Sequence, residues 1–174
     1  MTLRKTLGAM VALSTLTIGG AAFAEVSCGA NTGEAATGAP ILVGGIHGNA
    51  APGDFSSSTD SAGAYFRCVN ANGGINGRPI EYLVENDQWN PETAAQVAAR
   101  LVNDTATVAM VGNGSFIEMA VNANTYAEAD IMSMASACAI SECFESSNIV
   151  STNQGPLPSN LGAAQYAVEE LGST

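Results

Sequence analysis

Basic residues are the scarcest chemistry in this chain: five Lys and Arg stand against sixteen Asp and Glu, and Lys5 is the single lysine. A formal charge of −11 repels phosphate backbones and excludes nucleic acid as a partner. Histidine occurs once, at His47, and no pair among the four cysteines has C-x-x-C spacing, so no metal site is expected. The chain also lacks a G-x-x-x-x-G-K-[ST] run. Gly112-Asn113-Gly114 opens like a dinucleotide fingerprint, but Ile117 stands where the third glycine belongs, and no cofactor is expected.

A long uninterrupted apolar run is missing too. Residues 1–24 come nearest, yet Ser14, Thr15, Thr17 and three glycines dilute them below what a stable membrane span prefers. Arg4 and Lys5 in front and Ala22-Phe23-Ala24 behind make this stretch a secretory signal peptide with an A-x-A cleavage site. Its removal leaves three arginines against sixteen acids, a formal charge of −13. Glu25, Val26 and Ser27 before Cys28 do not form a lipoprotein site. The mature chain is therefore expected in the periplasm or secreted, without membrane insertion.

What remains, residues 25–174, is enough for one compact domain. Its pattern alternates. Strands are expected at 41–46, 80–85, 108–113, 131–136 and 148–153, and helices at 58–72, 91–103, 116–128 and 158–171. The first helix would face the core with Ala62, Phe66 and Val69, the second with Ala95, Val97, Ala98, Leu101 and Val102. Asn72-Gly73-Gly74 can end a helix because these residues tolerate positive φ, and Pro91 and Glu92 suit a first helical turn. Such alternation predicts an α/β fold with a doubly wound parallel sheet of order 2-1-3-4-5, connected by right-handed crossovers.

Ligands of such sheets bind beyond the carboxyl ends of the strands, near the point where strand order reverses. That selects the loops 47–57, 86–90, 113–115, 137–143 and 152–158, with His47, Asp54, Gly114, Ser115 and Phe116 at the centre. Trp89 either stacks on a ligand at the cleft edge or packs over its own loop. The four cysteines allow three pairings. Cys28 with Cys68 at the bottom of the sheet and Cys138 with Cys143 at the top is the cheapest geometrically, with a buried thiol at Cys68 as the alternative. Ser115 and His47 could form a nucleophile and base, but Ser115 lies outside a G-x-S-x-G elbow and no third residue orients His47. A non-enzymatic protein is the expectation.

Four segments carry a family resemblance: VGGIHGNAAPGDFSSSTDSAGAYF, NANGGINGRPIEYLVENDQWNPETA, MVGNGSF and YAEADIMSMASACA. Together they resemble the first lobe of periplasmic solute-binding proteins of ABC transporters, the type I branched-chain amino acid receptors. The resemblance spans Ile41 to Leu171. It implies an N-terminal ligand-binding lobe at 25–174 without the second lobe, an interlobe cleft for an amino acid or related small molecule, and ABC permease partners. A ligand-sensing domain of the same fold is the alternative. The resemblance places the ligand carboxylate at Ser115, Phe116, Ala137, Cys138 and Ala139; with His47, Asp54, Phe55, Trp89, Asn113 and Gly114 from the loops these are the expected ligand-binding residues. Phe116 and Ala139 stand where such receptors usually carry hydroxyls. Each lost hydrogen bond to a charged carboxylate is worth on the order of 1.5 to 3 kcal/mol. The ligand expectation thus moves from Leu, Ile or Val toward an apolar or aromatic small molecule.

Overall fold

The structure, a computed structural model, describes residues 27–51, 53–104 and 106–173, so the signal peptide expected at 1–24 lies outside the described residues. Five parallel strands form the sheet: β1 (Ile41–His47), β4 (Ile80–Asn86), β5 (Ala109–Asn113), β6 (Met132–Ala135) and β7 (Ile149–Ser151). Their spatial order is β4-β1-β5-β6-β7. In chain order of the five strands this is 2-1-3-4-5, the doubly wound arrangement, with the switch point between β1 and β5. Two very short strands, β2 (Asn49–Ala50) and β3 (Gly53–Asp54), add an antiparallel ribbon inside the loop after β1. The period-two pattern is too short there to be seen in sequence.

Helices α1 (Ser56–Ala71), α2 (Pro91–Ala99), α3 (Phe116–Glu128), the single-turn α4 (Glu142–Glu145) and α5 (Pro156–Glu169) complete the described residues. Asn90 caps α2 by accepting the Thr93 amide at 2.9 Å, with Pro91 in the first turn. The helix expected through residue 103 gives way to a π-helical turn at Arg100–Asp104. On α2 the buried residues are Ala94, Val97 and Ala98, whereas Ala95, expected to face the core, is exposed. α5 starts two residues earlier than expected, at Pro156, and buries none of its residues.

Apolar side chains sort to the two faces of the sheet. Ile46, Val97, Ala98, Leu101, Met110, Tyr126 and Ile131 fill the side covered by α2 and α3. Cys28, Val43, Val69 and Ile80 fill the α1 side, joined by half-buried Phe66 and Tyr82, whose rings meet edge to face at 5.0 Å. α1 covers β4, β1 and β5. Farther along, Met134, level with Val111 of β5 and Val150 of β7, stays exposed with Met132 and Val150.

The amino end of the sheet is closed by the turn 72–78. Gly74 has φ +63°, and a Cβ there would lie 2.7 Å from that of Ala36, so both conformation and space demand glycine. Arg78 donates to the carbonyls of Ala39 and Pro40 at 2.8 and 2.9 Å. Cys28 is bonded to Cys68 across 40 residues, with Cα atoms 6.0 Å apart. Closing a loop of that length restricts the unfolded chain. The double replacement of Cys28 and Cys68 by alanine is expected to lower unfolding free energy by about 2–4 kcal/mol, measured by urea denaturation. A change below roughly 0.5 kcal/mol would show that the bridge adds nothing to packing around Val69.

Candidate functional site

At the carboxyl end of the sheet the loops after β1 and β4 are sewn together. Asn86 exchanges two hydrogen bonds with the Asn49 backbone, at 2.9 and 3.0 Å. The Trp89 indole lies flat on Gly48, where a Cβ would be 2.6 Å from ring atoms, and its Nε1 donates to the Gly53 carbonyl at 2.8 Å. Phe55, at the start of α1, meets Trp89 edge-on with centroids 5.3 Å apart. Phe116, the first residue of α3, completes the group at 5.7 Å from Phe55 and 6.0 Å from Trp89. With Gly53 and Ile117 these three rings line a cavity of about 330 Å³. Such ring pairs contribute about 0.5–1.5 kcal/mol each beyond their burial.

Beneath the aromatics lies a buried acid. Asp87 accepts the Trp89 amide at 2.9 Å through Oδ1, which holds Trp89 at φ +58°. Its Oδ2 accepts the Ser115 hydroxyl proton. Ser115 in turn accepts the Glu118 amide at 3.2 Å and so caps α3. One carboxylate therefore sets the loop of Trp89 and the helix start of Phe116 together.

A second acid lies deeper. Glu118 is fully buried, and its Oε1 accepts from the Tyr126 hydroxyl and, at 3.2 Å, from Asn113 Nδ2. Its Oε2 has no hydrogen-bond partner. Burial, reinforced by the charge of Asp87, pushes the Glu118 carboxyl up to about 8, against the pull of the bonds from Tyr126 and Asn113. At neutral pH it is a neutral acid. Burial and the neighbouring Glu118 also raise Tyr126 well above its usual range. Asn113 is used completely: Oδ1 accepts the Ile46 amide at 3.1 Å, and Nδ2 also reaches Ser133 Oγ at 3.2 Å.

The expected site residues consequently fall into separate groups. Phe55, Trp89 and Phe116 come together and face the cavity. Asp54 is exposed beside them, and hydrogen bonds from Ser56 hold its carboxyl below the ordinary range. Asn113, Gly114, Ser115 and Cys138 are buried framework. Gly114 leaves no space for a side chain, since a Cβ would lie 2.7 Å from Ser58 Oγ and 2.9 Å from the Phe55 carbonyl. Ala137 is half-buried, and exposed Ala139 lines a different apolar cavity of about 450 Å³ with Ile140, Phe144 and Leu157. That loop is closed by the Cys138–Cys143 disulfide, whose sulfurs pack on Met119 Sδ at 3.6 and 3.5 Å.

His47 and Ser115 are not partners. Thr59 donates its hydroxyl to the Ser56 carbonyl, so at 2.8 Å the His47 Nδ1 is the donor to Thr59 Oγ1. The Ser115 hydroxyl is committed to Asp87 and Glu118. A nucleophile needs its base within hydrogen-bond reach, and this pair lacks that bond. Among the described residues no group of three or more His, Cys, Asp or Glu is placed to hold a metal ion.

Asp87, Glu118 and Ile117 were not singled out by sequence reasoning. Ser115-x-x-Glu118 is the spacing of a capping box and points to a helix start, but the Glu118 side chain turns inward instead of back to Ser115.

A doubly wound α/β lobe with an apolar wall at its switch point is an architecture that binds small ligands beyond the carboxyl ends of its strands. The sequence profile of the periplasmic binding protein family matches residues 40–174, and the chain belongs to that family. Solved structures share its fold. The branched-chain amino acid transporter substrate-binding protein LivJ from Streptococcus pneumoniae, in complex with isoleucine, is 18% identical with a TM-score of 0.67, over 76% of this chain and 39% of that one. A solute-binding protein of an ABC transporter from Rhodopseudomonas palustris BisB5, in complex with 3,4-dihydroxybenzoic acid, is 18% identical with a TM-score of 0.64, over 75% and 36%. Another from R. palustris, in complex with 4-hydroxybenzoate, is 19% identical with a TM-score of 0.64, over 76% and 36%. The chain thus spans less than two fifths of the length of these relatives. Comparison with curated protein sequences gives no match.

The raised Glu118 carboxyl makes stability depend on pH. Because the folded state holds this proton more tightly than the unfolded chain, stability is highest below the ordinary value of 4.5 and falls as pH rises toward about 8. The decline is expected at roughly 1 kcal/mol per pH unit at its steepest, and Glu118→Gln should flatten it. Urea titrations at several pH values check this; an identical slope in the variant would assign the dependence to other groups.

Proposed function

We propose that this chain is the first, ligand-contacting lobe of an extracytoplasmic solute-binding component of an ABC importer. The observation that carries the reading is the wall of Phe55, Trp89 and Phe116 at the carboxyl end of the sheet, open on one side and fixed from below by Asp87. A small amino acid-like or amphipathic solute lays its apolar part on these rings, in a cleft whose opposite side a second lobe supplies. Solute-binding proteins sharing the fold take isoleucine, 3,4-dihydroxybenzoic acid and 4-hydroxybenzoate, so the fold accepts both alkyl and aromatic ligands.

Residues 1–24 direct export and are then removed, placing the lobe in the periplasm or outside the cell, where its two disulfides persist. No helix among the described residues is long and apolar enough to cross a membrane. The permease receives the loaded receptor. His47 and Ser115 act as framework of a binding site and have no part in turnover.

Trp89 is the single tryptophan of the chain, so its emission reports on this site alone. Titration with leucine, phenylalanine, hydroxybenzoates and alkylamines is expected to give a saturable change with at least one solute. Phe116→Ala should weaken that binding by about ten-fold or more, as loss of an aromatic anchor does. Silence across the whole panel into the millimolar range would reject the reading. Export should yield a mature amino terminus at Glu25; an uncleaved leader would reject the signal assignment.

A further inference from the structure

We infer that the aromatic wall selects organic cations, ammonium groups bearing apolar substituents, over carboxylates. The inference rests on the solute-binding reading above and concerns which charge that site accepts.

Three observations carry it. First, the cavity presents the rings of Phe55, Trp89 and Phe116, and aromatic faces attract a cation through their quadrupole. Trp89 is the strongest such face and is immobilised by its bonds to Gly53 and Asp87.

Second, no Lys or Arg stands in any loop at the carboxyl end of the sheet, and none follows Arg100 in the chain. Arg78 is engaged at the amino end, on the Ala39 and Pro40 carbonyls, and Arg100 pairs with Glu85. The same loops carry Asp54 and Asp87, and Glu92 stands in the first turn of α2, so the local potential is negative. His47, the one other base there, already donates Nδ1–H to Thr59.

Third, the helix start beside the cavity already has an acid next to it. The start of α3 offers the positive end of a helix, but Asp87 is bonded to its capping Ser115 and already compensates that end. A ligand carboxylate would sit close to a buried like charge.

The test compares three compounds of nearly one shape by Trp89 emission and calorimetry: choline, the neutral 3,3-dimethylbutan-1-ol and the anionic 3,3-dimethylbutanoate. Choline is expected to bind at least about three-fold more tightly than the neutral isostere. Its affinity should fall with added salt, as that of the neutral compound does not. Phe116→Leu, which keeps apolar volume but removes a π-face, should lower choline affinity several-fold more than that of the neutral isostere; Phe55→Leu serves equally if the first variant unfolds. Equal or tighter binding of the neutral or anionic compound overturns the charge inference alone. No response to these three or to the wider solute panel overturns the solute-binding reading and this inference with it.

Discussion

The bond between Asp87 and Ser115 is the constraint on which the cleft depends. A carboxylate removed from water is tolerable only when its oxygens are satisfied, and this one is satisfied by two different loops. It accepts the Trp89 amide on one side and the hydroxyl that caps α3 on the other. Neither loop can shift without leaving a buried acceptor orphaned. The edge-on packing of Phe55 with Trp89 and Phe116 then follows from where those loops are held. Rigidity at the surface is inherited from polarity underneath.

The deeper group of Asn113, Glu118, Tyr126 and Ser133 does the same for strand ends. Asn113 joins β1, through the Ile46 amide, to β6, through Ser133, and to α3, through Glu118. A neutral Glu118 accepts bonds there without bringing a second charge beside Asp87. Had both acids been ionised at that depth, repulsion between them would oppose closure of the α3 start on the sheet. Polar residues at the switch point therefore shape the floor, and apolar ones form the contact surface. This division is the reverse of what a list of hydroxyls and amides near a cleft suggests.

Much of the fold was legible because it rests on periodicity. The alternation of Ile41–Ile46, Phe66, Val69, Ile80–Glu85 and Val97–Leu101 follows directly from which faces a parallel sheet buries, whereas crossovers of one hand are compatible with more than one strand order. Local chemistry was legible where a residue type has one use, as with Pro91 and Gly74. Ala94 and Ala95 exchanged roles because adjacent alanines give no periodic signal. The β2–β3 ribbon escaped because its strands are two residues long. At the site, Phe55, Trp89 and Phe116 were reached through their loops. Asp87 lies in the same selected loop as Trp89 but was not named, because its partners, Ser115 and Trp89, are respectively 28 and two residues away and nothing local distinguishes it from an exposed loop acid. For Ser115 and Asn113 the polarity is visible in sequence, whereas their internal hydrogen bonds are visible only in the structure.

That distinction governs how function transfers between lobes sharing one fold. A helix start with free donors attracts an anion. Here Phe116 supplies a ring at the start of α3, and the Ser115 hydroxyl is turned inward onto Asp87 and the Glu118 amide. The Ala137–Ala139 loop adds no compensating donor from its side chains and is clamped over Met119 by its own disulfide. The scaffold thus presents three rings beside a buried acid at the carboxyl end of its sheet. Rings of this kind discriminate by charge as well as by shape.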